Sequence, residues 1–594
     1  MGGASINLER LRLGKLKIVR RRLLQRYEHQ PFISLLAGLY SCRWKRYQRQ
    51  KTEPGQWCCK KVENVFFLLL IATFCLSLVF LYFWGEAQND YNDFDWFIYG
   101  NVGSWILWSI LILIASVFLF TYVAILVVLA VCLLSEGQQL HLHWSHKVGT
   151  LVVLVVSIAA LVALSKLWSP EWNTILLSFQ ITAAYLHIGA IAVMVVLSWP
   201  VALYFVRMNK TVSQVLIITP FLITLVFLYL IPLGMYSPCI LEEGTLPPKP
   251  SLIAHRGSPQ LAPENTQMSF EKAVELGADG LETDVTISFD GVPFLMHDRT
   301  LKRTTDVQDV YPDLAEVNAA TLSWDKLSRL NAGSWFLKNK PFSNVASLTP
   351  EDRKRALNQS IYKLSDFLEL AHWNNKSVVF DLYRPPDGHP YSDSWTGQIV
   401  KVILNETSID PRLVCWLTND VTLDVQSMSP EFQKTLGGKA PVKKLVANRV
   451  VKLNLPYNEM SSDDIRTYAA ANISTNLYVV SEPWLFSLAW CSGAYSVTTN
   501  DVLALKRMDR PLFLMTPAEY RVMWILTDSV SALLIALIFL LHWWRERGLS
   551  CCPENNGLLE ELDMSLSEEG YGRSQPTSPA VQCDTKSLGC AETK

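Results

Sequence analysis

Apolar residues follow two different rhythms along this chain. Six stretches, near 64–84, 105–134, 149–168, 175–206, 215–235 and 522–544, are apolar almost without a break. Each reaches the ~20 residues that a helix rising 1.5 Å per residue needs to cross the hydrocarbon core of a bilayer. The second and fourth are longer, which tilting or an extension past the bilayer accommodates and a double crossing does not. Between residues 251 and 501 the pattern changes to short β-rich runs alternating with helical ones, as in parallel βα units. Strands are expected at Ser251–Ala254, Gly280–Val285, Val292–Met296 and Val378–Leu382, and near 412–416, 450–455, 475–480 and 495–498. Helices are expected over Thr266–Leu276 and near 363–373. Eight strands in ~250 residues is the size and rhythm of a (β/α)8 barrel.

The chain therefore reads as an α-helical membrane protein with an inserted α/β TIM-type barrel. A basic region (1–63) precedes five spans (64–235), the barrel occupies 236–520, a sixth span follows (521–544), and a tail without periodicity (545–594) ends the chain. Composition agrees: half of the residues are hydrophobic and 18% are charged, a balance foreign to a soluble enzyme.

Charge then sets the orientation. Residues 1–63 hold 15 Lys or Arg, with Arg20, Arg21 and Arg22 in a row, whereas the loop Gly85–Ser104 holds none. Basic residues flanking spans stay cytoplasmic, so the N-terminus and the loops with Lys147, Arg207 and Lys210 fall on the cytoplasmic side, and so does the tail after Arg545 and Arg547. The barrel then lies outside. Topology explains the basic arm without a nucleic-acid partner. Four glycosylation triplets, at Asn358, Asn375, Asn405 and Asn472, fall in the barrel segment and are usable only outside the cytoplasm.

The twelve cysteines show no CxxC spacing and suggest neither a zinc site nor a disulfide framework. Cys58-Cys59 and Cys551-Cys552 flank spans and are candidates for palmitoylation, with free thiols as the plain alternative. The opening Met1-Gly2-Gly3 suggests myristoylation, but Ile6 stands where that motif calls for Ser or Thr. The tail, with Ser565, Ser567 and Ser578-Pro579, has the composition of a disordered segment open to phosphorylation. In the fourth span, Gln180 and His187 are polar groups best explained by helix packing.

In a TIM-type barrel the chemistry sits at the C-terminal ends of the strands. Polar residues fall there: His255-Arg256 after the first strand, Glu282 and Asp284 near the end of the second, and His297-Asp298 after the third. Two residues apart on a strand, Glu282 and Asp284 point to one face, where burying two like charges favours a counter-cation. Such a cation and Arg256 would neutralise negative charge on a bound group, and histidine is the side chain that gives and takes protons near neutral pH.

The strings HRGSPQLAPENT, ETD and DGVPFLMHD, with the late run NLYVVSEPWLFSLAWCSGAYSVTTND, resemble the glycerophosphodiester phosphodiesterase family, and the flanking spans resemble its multi-pass animal subgroup. The resemblance implies one divalent cation held by Glu282, Asp284 and a third acid, with His255 and His297 as acid and base. Where the family carries Glu followed two residues later by Lys, this chain has VVFDLYRPP, so Asp381 takes the third position and Tyr383 that of the Lys. Glu264 either caps the next helix or joins the metal or substrate shell. Flexible carboxylates in calcium-rich fluid favour Ca²⁺ over Mg²⁺. The resemblance implies glycerophosphodiester or lipid-derived substrates beside a bilayer. Two competing readings are an inactive barrel serving as receptor or scaffold, against which the intact His, Arg and acid set speaks, and a transporter, against which the few intramembrane charges speak. Nothing in the sequence fixes an oligomeric state.

Overall fold

The structure is a computed structural model that describes residues 30–44, 52, 55–57, 59–424 and 427–547. The expected features at Gly2, Arg20–Arg22, Cys58, Cys551, Cys552 and the serines of the tail lie outside the described residues.

Six helices among the described residues are long and apolar enough to cross a membrane. They include α2 (Lys61–Glu86), α4 (Trp108–Ser135), α5 (Trp144–Leu167), α6 (Glu171–Arg207) and α7 (Thr211–Gly234), with α8 (Pro517–Arg547) after the barrel. Two shorter helices flank the first span. The first of these, α1 (Gln30–Ser41), packs Ile33, Leu36 and Tyr40 inward while Phe32, Leu35 and Leu39 stay exposed. The second, α3 (Tyr91–Val102), follows a 3-10 turn at Ala87–Asp90. Gly103 ends α3 in the left-handed conformation that a side chain disfavours.

The bundle has two chemically distinct ends. At one end the N-terminal segment meets the loops after α4 and α6 and the end of α8: His143 N–H donates to Tyr40 O, Gly55 N–H donates to Arg207 O, and Arg207 pairs with Glu546 at 3.1 Å. Glu63 is held there by Lys147 at 2.6 Å. The barrel packs on the other end, where Leu177 and Ile181 of α6 join the barrel's own apolar core. Inside the bundle, His187 of α6 lies 3.6 Å from Asp528 of α8.

The sheet runs β1-β9-β8-β7-β6-β5-β4-β2-β3, with β4 at Ser377–Leu382, β8 at Ser474–Tyr478 and β9 at Ser496–Thr499, and β1 (Ser251–Ala254) also pairs with β2 (Gly280–Ile287). That second pairing closes eight parallel strands into a barrel. Alternating strands and helices give this result because each parallel crossover needs a helix to return the chain. Two expectations are corrected. Residues 292–296 do not form a barrel stave: β3 (Pro293–Leu295) runs antiparallel to the end of β2 as a short hairpin arm. The missing stave is β6 (Gln433–Leu436), whose QKTL sequence has no apolar alternation. It sits between β5 (Val414–Thr418) and β7 (Lys452–Pro456), with Lys434 buried and donating to Val421 O.

One disulfide joins Cys239 to Cys491, a pair 252 residues apart in sequence. It ties the chain just after α7 to the barrel helix Pro483–Ser492. Reading the cysteines by spacing alone misses this bridge.

Candidate active site

The barrel mouth at the C-terminal strand ends holds a cavity of about 730 Å³ lined by His255, Arg256, Glu282, Asp284, His297 and Asp381. Each element delivers its residue for a local reason. The strand β1 ends at Ala254, and the chain turns sharply because Arg256 and Gly257 both take positive φ, at 53° and 86°. Gly257 must lack a side chain: a Cβ there would lie 2.4 Å from Ser269 Oγ and 2.6 Å from Ser269 C. The turn is held by Ser269 Oγ, which donates to Arg256 O and accepts from Ser258 N–H. Strands β2 and β4 (Ser377–Leu382) pair in register so that Asp284 and Asp381 are direct neighbours.

His255 Nδ1 is bonded to Asn500 Oδ1 at 2.7 Å, which places the Nδ1 proton toward the amide and leaves Nε2 as a base. Burial, with the Arg256 charge beside it, lowers its pKa to about 4, so the ring is neutral at pH 7. His297 Nδ1 donates to Asp298 Oδ1 at 2.7 Å. Burial tends to raise the Asp298 pKa, yet Arg303 and His297 hold it well below the usual carboxylate range.

The acids crowd one another. Burial first, and Asp284 second, raise Glu282 well above a normal carboxylate; burial and Asp284 likewise raise Asp381. Positive charge in the centre comes from Arg256, whose Nε is 3.1 Å from Asp284 Oδ2 and whose backbone N–H donates to Glu282. Asn265 Nδ2 donates to Asp284 Oδ2 at 2.8 Å, and Tyr383 OH reaches Asp381 Oδ2 at 3.2 Å. Two buried carboxylates, Glu282 and Asp284, and the exposed Asp381 offer the hard oxygens that Ca²⁺ or Mg²⁺ takes, so the donor chemistry fits a divalent cation. Among the described residues, however, no three His, Cys, Asp or Glu side chains converge as a formed metal cluster.

Glu264 sits behind this centre and neither caps a helix nor joins the acids. It pairs with Arg256 at 3.0 Å and with Arg303 at 2.7 Å, while Thr266 caps the following helix by accepting from Ser269 N–H. Burial opposes its ionisation, but the two arginines pull its pKa down to about 2. Arg303 also pairs with Asp298 at 2.7 Å, so one guanidinium joins Glu264 to the carboxylate that holds His297. Sequence reasoning missed Arg303, Asn265 and Asn500, because no spacing marks them and only the fold brings them in.

A mouth lined by two histidines, an arginine and three acids at parallel strand ends is matched by sequence. Residues 255–507 fit the Glycerophosphoryl diester phosphodiesterase family, and the chain is 47% identical over 532 residues to the mouse protein Glycerophosphodiester phosphodiesterase domain-containing protein 5, covering 90% of this chain and 86% of that one. The chain belongs to the glycerophosphodiester phosphodiesterase family. Within the family it is 42% identical over 505 residues to mouse Glycerophosphoinositol inositolphosphodiesterase GDPD2, covering 85% of this chain and 92% of that one. A solved phosphodiesterase from Oleispira antarctica, in complex with the product sn-glycerol-3-phosphate, is 21% identical with a TM-score of 0.36, covering 43% of this chain and 95% of that one. The family match over residues 255–507, with the 47% identity to its relative, gives this chain's barrel its phosphodiesterase character.

Proposed function

We propose that this protein is a membrane-tethered ecto-phosphodiesterase that hydrolyses glycerophosphodiesters beside the bilayer. The substrates are free glycerophospho-headgroup compounds, lysophospholipids or glycosylphosphatidylinositol-type lipids; the name of the GDPD2 relative adds glycerophosphoinositol as a specific candidate. The observation that carries the reading is the convergence of His255, Arg256, Glu282, Asp284, His297 and Asp381 on one cavity.

A phosphodiester is anionic and resists attack, so the site must neutralise charge and move two protons. Arg256 supports the phosphoryl oxygens. His255, neutral at pH 7 with Nε2 unprotonated, takes the proton of the attacking hydroxyl, either water or the neighbouring glycerol hydroxyl. His297, held by Asp298, returns a proton to the leaving alcohol oxygen. Glu282, Asp284 and Asp381 would hold one divalent cation, with Ca²⁺ preferred to Mg²⁺; when bound, it supplies Lewis-acid stabilisation of the developing phosphoryl charge.

Support for an outward-facing barrel comes from the loops. The barrel and the Lys- and Arg-free loop before α4 share one end of the bundle, while Lys147 and Arg207 sit at the other. Asn358, Asn375, Asn405 and Asn472 are all exposed on the barrel, as glycan acceptors must be. The test is hydrolysis by the full-length protein in micelles across a panel of these diesters, after chelation and after returning Ca²⁺ or Mg²⁺. Activity lost on chelation and restored best by Ca²⁺ supports the reading, and activity indifferent to chelator removes the cation from it.

A further inference from the structure

The barrel alone does not complete its cavity. Asp90 and Asp93, from the segment between the first two spans, form part of the same wall. Three sets of contacts dock this segment on the barrel mouth. Asn89 Nδ2 donates to Val479 O at 3.0 Å, and Asn89 Oδ1 accepts from Ser481 N–H at 2.9 Å. Asp90 Oδ2 accepts from Tyr457 OH at 2.7 Å, and Tyr457 OH also meets Thr174 of α6 at 3.1 Å. Trp96 stacks on Arg303, 4.9 Å from ring to guanidinium, and packs edge-on against Trp335. Arg303 is the residue that joins Glu264 to Asp298, so the bundle touches the support of His297 directly.

The two aspartates differ. Asp90 is already engaged by Tyr457, Asn89 and the carboxyl group of Glu171. Asp93 is exposed, lines the cavity, and has no ion pair among the described residues. A phosphodiester bound at Arg256 brings one negative charge into the cavity. A bare carboxylate sharing that space repels a substrate whose other end is neutral or acidic and attracts one whose other end is cationic. Trp395, half-buried, lines the same cavity, and an aromatic ring favours an ammonium group.

We propose that Ala87–Val102 is a working part of the substrate site and that Asp93 is its specificity residue, selecting glycerophosphodiesters whose alcohol carries an ammonium group. The proposal rests on the phosphodiesterase reading and adds to it a residue from outside the barrel and a rule of charge. It is tested with the full-length protein in micelles by comparing kcat/KM for glycerophosphocholine and glycerophosphoinositol. The wild type should favour the choline compound. Asp93→Asn should lower the ratio of the two about tenfold, mainly through KM for glycerophosphocholine; Asp93→Lys should lower it further, and Asp93→Glu should restore it. A wild type that favours the inositol compound, or a ratio unchanged in both Asp93→Asn and Asp93→Lys, overturns the proposal while leaving the phosphodiesterase reading intact. A wild type that cleaves neither compound nor any other glycerophosphodiester overturns both.

Discussion

His255 shows how much a neighbour matters to one residue's chemistry. Its burial, and Arg256 beside it, keep the ring neutral down to about pH 4. The acid limb of kcat/KM should therefore fall near pH 4, as the base form is lost below its pKa. Asn500→Asp, which puts a carboxylate against Nδ1, should stabilise the imidazolium and move that limb upward; a pH–rate profile reads the change. Arg303 makes the matching structural case. Glu264 and Asp298 have lowered folded pKa values, so the stability they contribute is present above the ordinary carboxylate range and lost as pH falls through those folded values. Arg303→Ala leaves two acids without their main partner and should cost about 3–5 kcal/mol, seen as a lower melting temperature. The six residues that the motifs point to do meet in one cavity. The residues that support them were not legible, because Arg303, Asn265 and Asn500 act through distances that exist only after folding.

At the level of elements, periodicity finds a segment only when its burial alternates or runs apolar. Seven of the eight staves carry that signal, and all six long helices overlap the stretches expected to be spans. The exception, β6, is polar on both faces, with Thr435 buried on one and Lys434 on the other. Residues 292–296 carry a good strand pattern and do form β3, but pattern alone does not distinguish an antiparallel arm from a parallel stave. The turn after β1 yields a prediction of its own. Gly257→Ala forces a Cβ into Ser269 at a left-handed position, and should cost about 1–3 kcal/mol of stability and displace Arg256. Melting and activity should fall together; a fully stable, fully active Gly257→Ala protein would contradict the account of this turn.

For the molecule as a whole, bundle and barrel form one unit. Leu177 and Ile181 of α6 belong to the barrel's core, Asn89 and Trp96 dock on its mouth, and Cys239–Cys491 ties it to the segment leaving α7. None of this was legible, since each contact joins residues hundreds of positions apart. Cys239→Ser should lower stability by about 2–4 kcal/mol, and reductant should do the same to the wild type and nothing further to the variant.

The central claim is that the acids and histidines of the barrel mouth hydrolyse glycerophosphodiesters on the outer face of the cell. It is tested most directly with intact cells expressing wild type or Glu282→Ala/Asp284→Ala at equal surface levels, supplied with glycerophosphodiesters in the medium. The account predicts product in the medium with the wild type and a loss of at least ~100-fold with the double variant. Equal product from both proteins would contradict it.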